Sequence, residues 1–172
     1  MKVLLTAPAF ADPDSTEFSG HLRASPNLGL YLLAAILAER GHEVALIDPI
    51  DFEAAFAPDR RSSTLAGVEV LGLSANSSTW PSARALLLEL ESEGGRPVTI
   101  LGGSHGSILD EHVLRTAPVD YVVRGEGERA LPALLDAIAA GRDAGDLPNV
   151  SYRRGAVFIQ NPQGPLLTPE EL

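Results

Sequence analysis

Short apolar runs and longer amphipathic segments take turns along this chain. "KVLLTAP" (2–8) is a β-type run that ends at Pro8. "SPNLGLYLLAAILAERG" (25–41) has helical spacing: Ser25 suits the N-cap, Pro26 the first helical position, and Gly41 stands just past the end. Within it Leu28, Tyr31, Leu32, Ala35 and Ile36 are predicted to form the apolar face. "HEVALIDP" (42–49) is a second strand, stopped by Pro49, and 50–67 reads as short helical turns between loops. "VEVLGLSAN" (68–76) holds almost no polar residue before Ser74, as in a parallel strand buried on both faces. A helix over 79–95 stops at Gly94, and "RPVTILGGS" (96–104) is a fourth strand ending in a double glycine. A shorter helix (109–118), a fifth strand "VDYVVRG" (119–125) and a helix closed by Gly141 complete the series.

Alternation of this kind predicts a parallel α/β sheet with helices on both faces. The pattern then changes. "NVSYR" and "AVFIQ" flank Arg154-Gly155, a β-hairpin signal, and "QGPLLTPEEL" is Pro-rich without periodicity. The expected organisation is therefore one domain over 1–148, a hairpin at 149–160 and the start of a linker at 161–172. No internal repeat or low-complexity tract is visible.

Composition narrows the chemistry. The 172 residues suffice for one domain with a core, and 45% hydrophobic with 21% charged residues is ordinary for a globular protein. A formal charge of −10 disfavours nucleic acid and anionic membranes as partners. The absence of cysteine excludes disulfides, thiol catalysis and any iron–sulfur cluster held by this chain. No signal peptide or membrane-length apolar run is present, so a cytoplasmic location is expected.

In open parallel sheets ligands bind beyond the carboxyl ends of the strands. The loops to read are therefore 7–27, 74–79, 102–109 and 124–128. The last holds Gly125-Glu126-Gly127 followed by Ala130, a G-x-G-x-x-A pattern close to a dinucleotide fingerprint. That fingerprint belongs after the first strand and needs an acidic residue one strand later. Here it follows the last strand of the series, and Glu126 and Glu128 put carboxylates where phosphate would sit. A P-loop is absent, as are the acidic residues and lysine of a receiver domain. "LSANSST" (73–79) and "LGGSHGS" (101–107) end adjacent strands in small residues, which with the Gly125 turn make a wide small-residue cleft. Such a cleft favours a bound cofactor over two unrelated tight turns.

At this point the chain resembles the N-terminal cobalamin-binding domain of radical S-adenosylmethionine enzymes. The matching pieces, in the family's order and over roughly 1–140, are "MKVLLTAPAF", "PNLGLYLLAAILAERGHEVALIDP", "VEVLGLSANSST", "VTILGGSHGSILDEHVL" and "VDYVVRGEGERALPALL". "GGSH" with "RGEGE" at consecutive strand ends is the specific part. The resemblance implies a flavodoxin-like (Rossmann-like) five-stranded parallel sheet, order 2-1-3-4-5, between two helical layers. It implies a corrin ring across the C-terminal strand edge and a nucleotide tail in a groove beside strands three and four. The implied binding residues are Ala7, Pro8, Asn27, Leu28, Ser74, Ala75, Asn76, Thr79, Gly102, Gly103, Ser104, His105, Gly125, Glu126 and Gly127, with the two glycines at 102–103 making room for the tail.

The cobalt-ligating Asp-x-His-x-x-Gly of classical carriers is missing. His21 has Ser19 at the Asp position and no glycine three residues on, which leaves it a weak candidate. The resemblance thus implies cobalamin held base-off, without a protein ligand to cobalt. S-adenosylmethionine and a 4Fe-4S cluster would belong to a separate radical domain, in cis or in trans, working in methyl transfer, cyclisation or related chemistry. The chain alone is then a cofactor module, and its linker-like tail suggests part of a longer enzyme. Two alternatives stand: a domain of this fold that lost cobalamin and serves substrate docking or protein interaction, and a small-molecule enzyme or nucleotide binder. Of the other polar candidates, His105 could bond its own loop, Trp80 could stack on a ring or anchor packing, and His42 and His112 are expected at the surface. Glu126 and Glu128 could form an acid pair, or bind cofactor amides and cap the next helix respectively.

Overall fold

The computed structural model describes residues 1–9, 27–166 and 168. Ser25, Pro26 and His21 lie outside the described residues. The strands are β1 (Lys2–Thr6), β2 (Glu43–Ile47), β3 (Val70–Ser74), β4 (Val98–Gly102), β5 (Tyr121–Val123), β6 (Val150–Arg154) and β7 (Val157–Gln160). The α-helices are α1 (Leu28–Glu39), α2 (Phe52–Ala55), α3 (Arg61–Thr64), α4 (Trp80–Glu93), α5 (Gly103–Thr116) and α6 (Gly127–Ala139). They build one sheet in the order β2-β1-β3-β4-β5-β6-β7. The first five strands are parallel in the expected order; β6 and β7 add antiparallel.

Strand alternation divides the core in two. Val3, Leu5, Val70, Ile100 and Val123 face α1 and α6. Leu4, Leu71, Leu73, Leu101 and Val122 face α4, α5 and the buried Phe52 and Phe56. Near-continuous burial along β1, β3 and β4 follows from helices on both faces.

Two helices differ from the sequence reading. Asn27 caps α1, its Oδ1 accepting from the Leu30 N–H at 3.3 Å. The buried side of α1 is Leu30 and Leu37, with Leu33 and Ala34 packed behind them. The predicted face points outward: Leu28 is 77% exposed, and Tyr31 and Leu32 are exposed too. "LGLYLLAAILAE" is apolar nearly all round, so its periodicity does not choose a face. The second difference is α5, which begins at Gly103 and bends at Leu109, so that most of the segment read as a loop at 102–109 is helical. Gly103 makes the turn in a single left-handed residue (φ +85°), and the His105 N–H then donates to the Ala75 carbonyl at 3.1 Å.

The hairpin is part of the sheet. β6 starts beside Val123 at the C-terminal rim and runs down; β7 returns to the rim. There the Asn149 N–H donates to the Pro162 carbonyl, and the Gly164 N–H to Asn149 Oδ1.

Candidate functional site

Five strand ends converge on the C-terminal rim, and two adjoining cavities open there. The first, of about 300 Å³, is a slot between the sheet and helices α1 and α6. Leu5, Ile100, Leu30, Leu33 and Leu131 give it apolar walls, and Gly102, Gly125, Glu126 and Gly127 form its mouth. The second, of about 370 Å³, is a shallow polar pan above the strand ends, lined by Ala7, Pro8, Ala75, Asn76, Thr79 and Ser104. Asn27, Ser74 and Gly103 line both. Among the described residues, no lysine or arginine lines either one.

The pan is held by its own backbone bonds. Asn76 Oδ1 accepts from the N–H groups of Ser78 and Thr79 at 2.9 and 3.0 Å, while its own N–H donates to Thr79 Oγ1. The Ala75 N–H donates to the Gly102 carbonyl at 3.1 Å, tying β3 to β4. Ala75 also explains Gly103. A Cβ there would lie 2.5 Å from the Ala75 oxygen and 2.8 Å from its nitrogen. The space at Gly103 is thus taken by the protein itself, not left for a ligand. Gly102 is different: an added Cβ would meet nothing nearer than 3.9 Å, so its missing side chain leaves open space at the slot.

Of the residues expected at the site, Leu28 and His105 line neither cavity. Leu28 points into solvent. His105 is buried behind the rim, where its ring stacks on Trp80 at 4.9 Å and its Nδ1 lies 3.2 Å from Ser77 Oγ. Trp80 is accordingly a packing anchor within the core. Burial, and secondarily the nearby His112, hold the His105 imidazole below its usual range. His112 is exposed, whereas His42 is half-buried. Glu126 occupies the N-cap of α6 without a side-chain capping bond, and Glu128 follows in the first turn. Both line the slot. The sequence reading missed the slot's interior: it named none of Leu5, Leu30, Leu33, Gly72, Ile100, Val123 and Leu131 for the site. The one available signal was Gly72, a glycine inside an apolar strand. It makes room for Leu5, whose Cδ2 would lie 2.6 Å from a Cβ there.

A narrow apolar slot opening into a polar pan at a sheet's C-terminal edge suits an elongated ligand with a flat polar head. Comparison with known proteins agrees. The model of the B12 binding domain family matches residues 24–135. The chain belongs to this family. The B12-binding domain is also 27% identical over 169 residues to an uncharacterized methyltransferase of Pyrococcus horikoshii, covering 97% of this chain and 36% of that protein. It is 26% identical over 150 residues to the anaerobic magnesium-protoporphyrin IX monomethyl ester cyclase of a Synechocystis strain, covering 83% of this chain and 29% of the relative. The domain thus spans about a third of the length of these curated relatives. Among solved structures, the fold matches the radical S-adenosylmethionine methyltransferase TsrM from Kitasatospora setae, with cobalamin and a [4Fe-4S] cluster bound, at TM-score 0.72 and 19% identity over 99% of this chain and 30% of that one. It matches the cobalamin-dependent S-adenosylmethionine radical enzyme OxsB, with aqua-cobalamin bound, at TM-score 0.73 and 18% identity over 96% of this chain and 22% of that one.

The residues present fit a corrinoid. The slot is apolar inside, open at Gly102, and continuous with a pan that offers amide and hydroxyl groups to polar side arms. Among the described residues no three His, Asp or Glu side chains converge to hold a metal ion, and none of the helices is long and apolar enough to cross a membrane.

Proposed function

We propose that this domain carries cobalamin with its nucleotide tail in the slot and its corrin ring over the pan, for use by a radical S-adenosylmethionine domain joined to it or docked on it. The observation that carries the reading is the pairing of the two cavities around Asn27, Ser74 and Gly103. When bound, the corrinoid supplies methyl-transfer or related radical chemistry at its cobalt. The protein's part is seating. Leu5, Leu30, Leu33, Ile100 and Leu131 exclude water from the tail, Gly102 admits it, and Ser74, Asn76, Thr79 and Ser104 face the ring's amide arms.

Incubation with hydroxocobalamin, desalting and an ultraviolet–visible spectrum test this. Stoichiometric corrin absorbance in the base-off form is expected. A colourless protein under both oxidising and reducing conditions overturns the reading and leaves a domain that kept the fold without the cofactor.

A further inference from the structure

Glu128 is the anomaly of the slot. It stands in the first turn of α6 and lines a cavity whose inner walls are leucine, isoleucine and valine. The side chain is half-buried, and its Oε2 is sealed from solvent and meets no hydrogen-bond donor among the described residues. Buried acceptors without a donor are rare, because each gives up hydration with no return. The Glu128 backbone carbonyl lacks its usual helical donor as well. Residue 132, four positions on, is a proline inside α6, so the helix offers no i+4 N–H to the Glu128 carbonyl. The neighbouring glycines cannot supply a side-chain donor, and among the described residues no cation lines the slot. A carboxylate at the wall of an apolar slot loses its water when a ligand fills the slot, which selects for a ligand that brings its own donor.

Resting on the corrinoid reading above, we propose that Glu128 is a specificity residue: it accepts a hydrogen bond from the nucleotide tail and so favours corrinoids whose tail presents a donor. Two parts of a tail can provide one. The ribose carries a hydroxyl in every complete corrinoid. The lower base carries an N–H or O–H only in some: adenine has an exocyclic amine and hydroxybenzimidazole a hydroxyl, whereas glycosidic dimethylbenzimidazole has neither.

The test is equilibrium binding by absorbance of three probes to the wild type, Glu128→Leu and Glu128→Gln. The probes are hydroxocobalamin, an adenine-based cobamide, and cobinamide, which lacks ribose and base altogether. A hydrogen bond to a charged acceptor predicts a loss of about ten- to a hundredfold in Glu128→Leu. Loss for both complete corrinoids but not cobinamide assigns the donor to the ribose. Loss for the adenine form alone assigns it to the base. Glu128→Gln keeps an acceptor oxygen and should recover part of the affinity in either case. Equal affinity of Glu128→Leu and wild type for all probes, or an equal loss that includes cobinamide, overturns the proposal while leaving the corrinoid reading intact. A wild type that retains no probe removes both. Matching far-ultraviolet circular dichroism and melting of the variants ensures that binding, not folding, is being compared.

Discussion

Replacing Gly103 with alanine separates two explanations of the double glycine. The residue sits at φ +85°, where an L side chain costs about 1–2 kcal/mol. The new methyl would also press on the Ala75 backbone oxygen and nitrogen at 2.5 and 2.8 Å, which cannot swing aside, and on the Ser74 side-chain Oγ at 3.0 Å. Overpacking of this kind costs about 1–3 kcal/mol. The sum, about 2–5 kcal/mol, is a large share of the 5–15 kcal/mol typical of a whole domain. For a chain of this length it corresponds to a fall in Tm on the order of 10 °C. Gly102→Ala is the control. Its φ is −121° and its nearest neighbours would be Val123 and Leu73 oxygens at 3.9 and 4.0 Å, so its melting should match wild type. Because Gly102 lines the slot, hydroxocobalamin retention should still fall. Thermal melting of the ligand-free proteins by circular dichroism reads the first effect, and corrin absorbance after desalting the second. If Gly103→Ala melts within about 2 °C of wild type, the steric reasoning is wrong.

The depressed imidazole of His105 predicts acid sensitivity. The unfolded chain titrates near the ordinary value of 6.5 and the folded one below it, so the unfolded state binds more protons in between. Its contribution is complete above about pH 6.5 and shrinks as the pH falls towards the folded value. Urea midpoints at pH 7.5 and 5 should therefore differ less in His105→Phe than in wild type. Asp110 is buried, accepting from Ser151 Oγ at 2.6 Å and Gln160 Nε2 at 2.7 Å, with Arg124 Nε 3.5 Å away. Asp110→Ala leaves that guanidinium without its counter-charge and should lower stability by about 2–4 kcal/mol in urea unfolding. Saturating hydroxocobalamin at a hundred times its Kd should raise stability by about 2.7 kcal/mol, and an unchanged Tm would contradict binding to the folded domain alone.

The strand–helix alternation was legible because most strands end at a recognisable stop, while the order 2-1-3-4-5 came from the resemblance to the cobalamin-binding family. Two local features were not. "GGSHGS" is poor in helix-forming residues, so it reads as a loop until the Ala75 carbonyl captures the His105 N–H and Gly103 supplies the turn. α1 is apolar on every side, so only the packed structure shows that Leu30 and Leu37 face inward while Leu28 does not. The rim residues of the site were readable for a topological reason: ligands collect at strand ends. The slot's walls were hidden because Leu5, Ile100 and Leu131 look the same whether they meet a ligand or another leucine. Glu128 read as a capping residue or one of an acid pair, since nothing in one dimension shows that it lines the slot with one carboxylate oxygen sealed.

The hairpin has a consequence for reach. A single strand after β5 would leave the chain at the far end of the sheet, about 17 Å below the rim for five residues. Because β6 goes down and β7 comes back, Asn161–Gly164 emerges beside Gly125, on the cofactor side. Anything tethered past that point starts its search within a few residues' length of the corrin's seat. A short tether keeps the local concentration of such a partner in the millimolar range. For a partner tethered in this way, the two extra strands turn linkage into proximity.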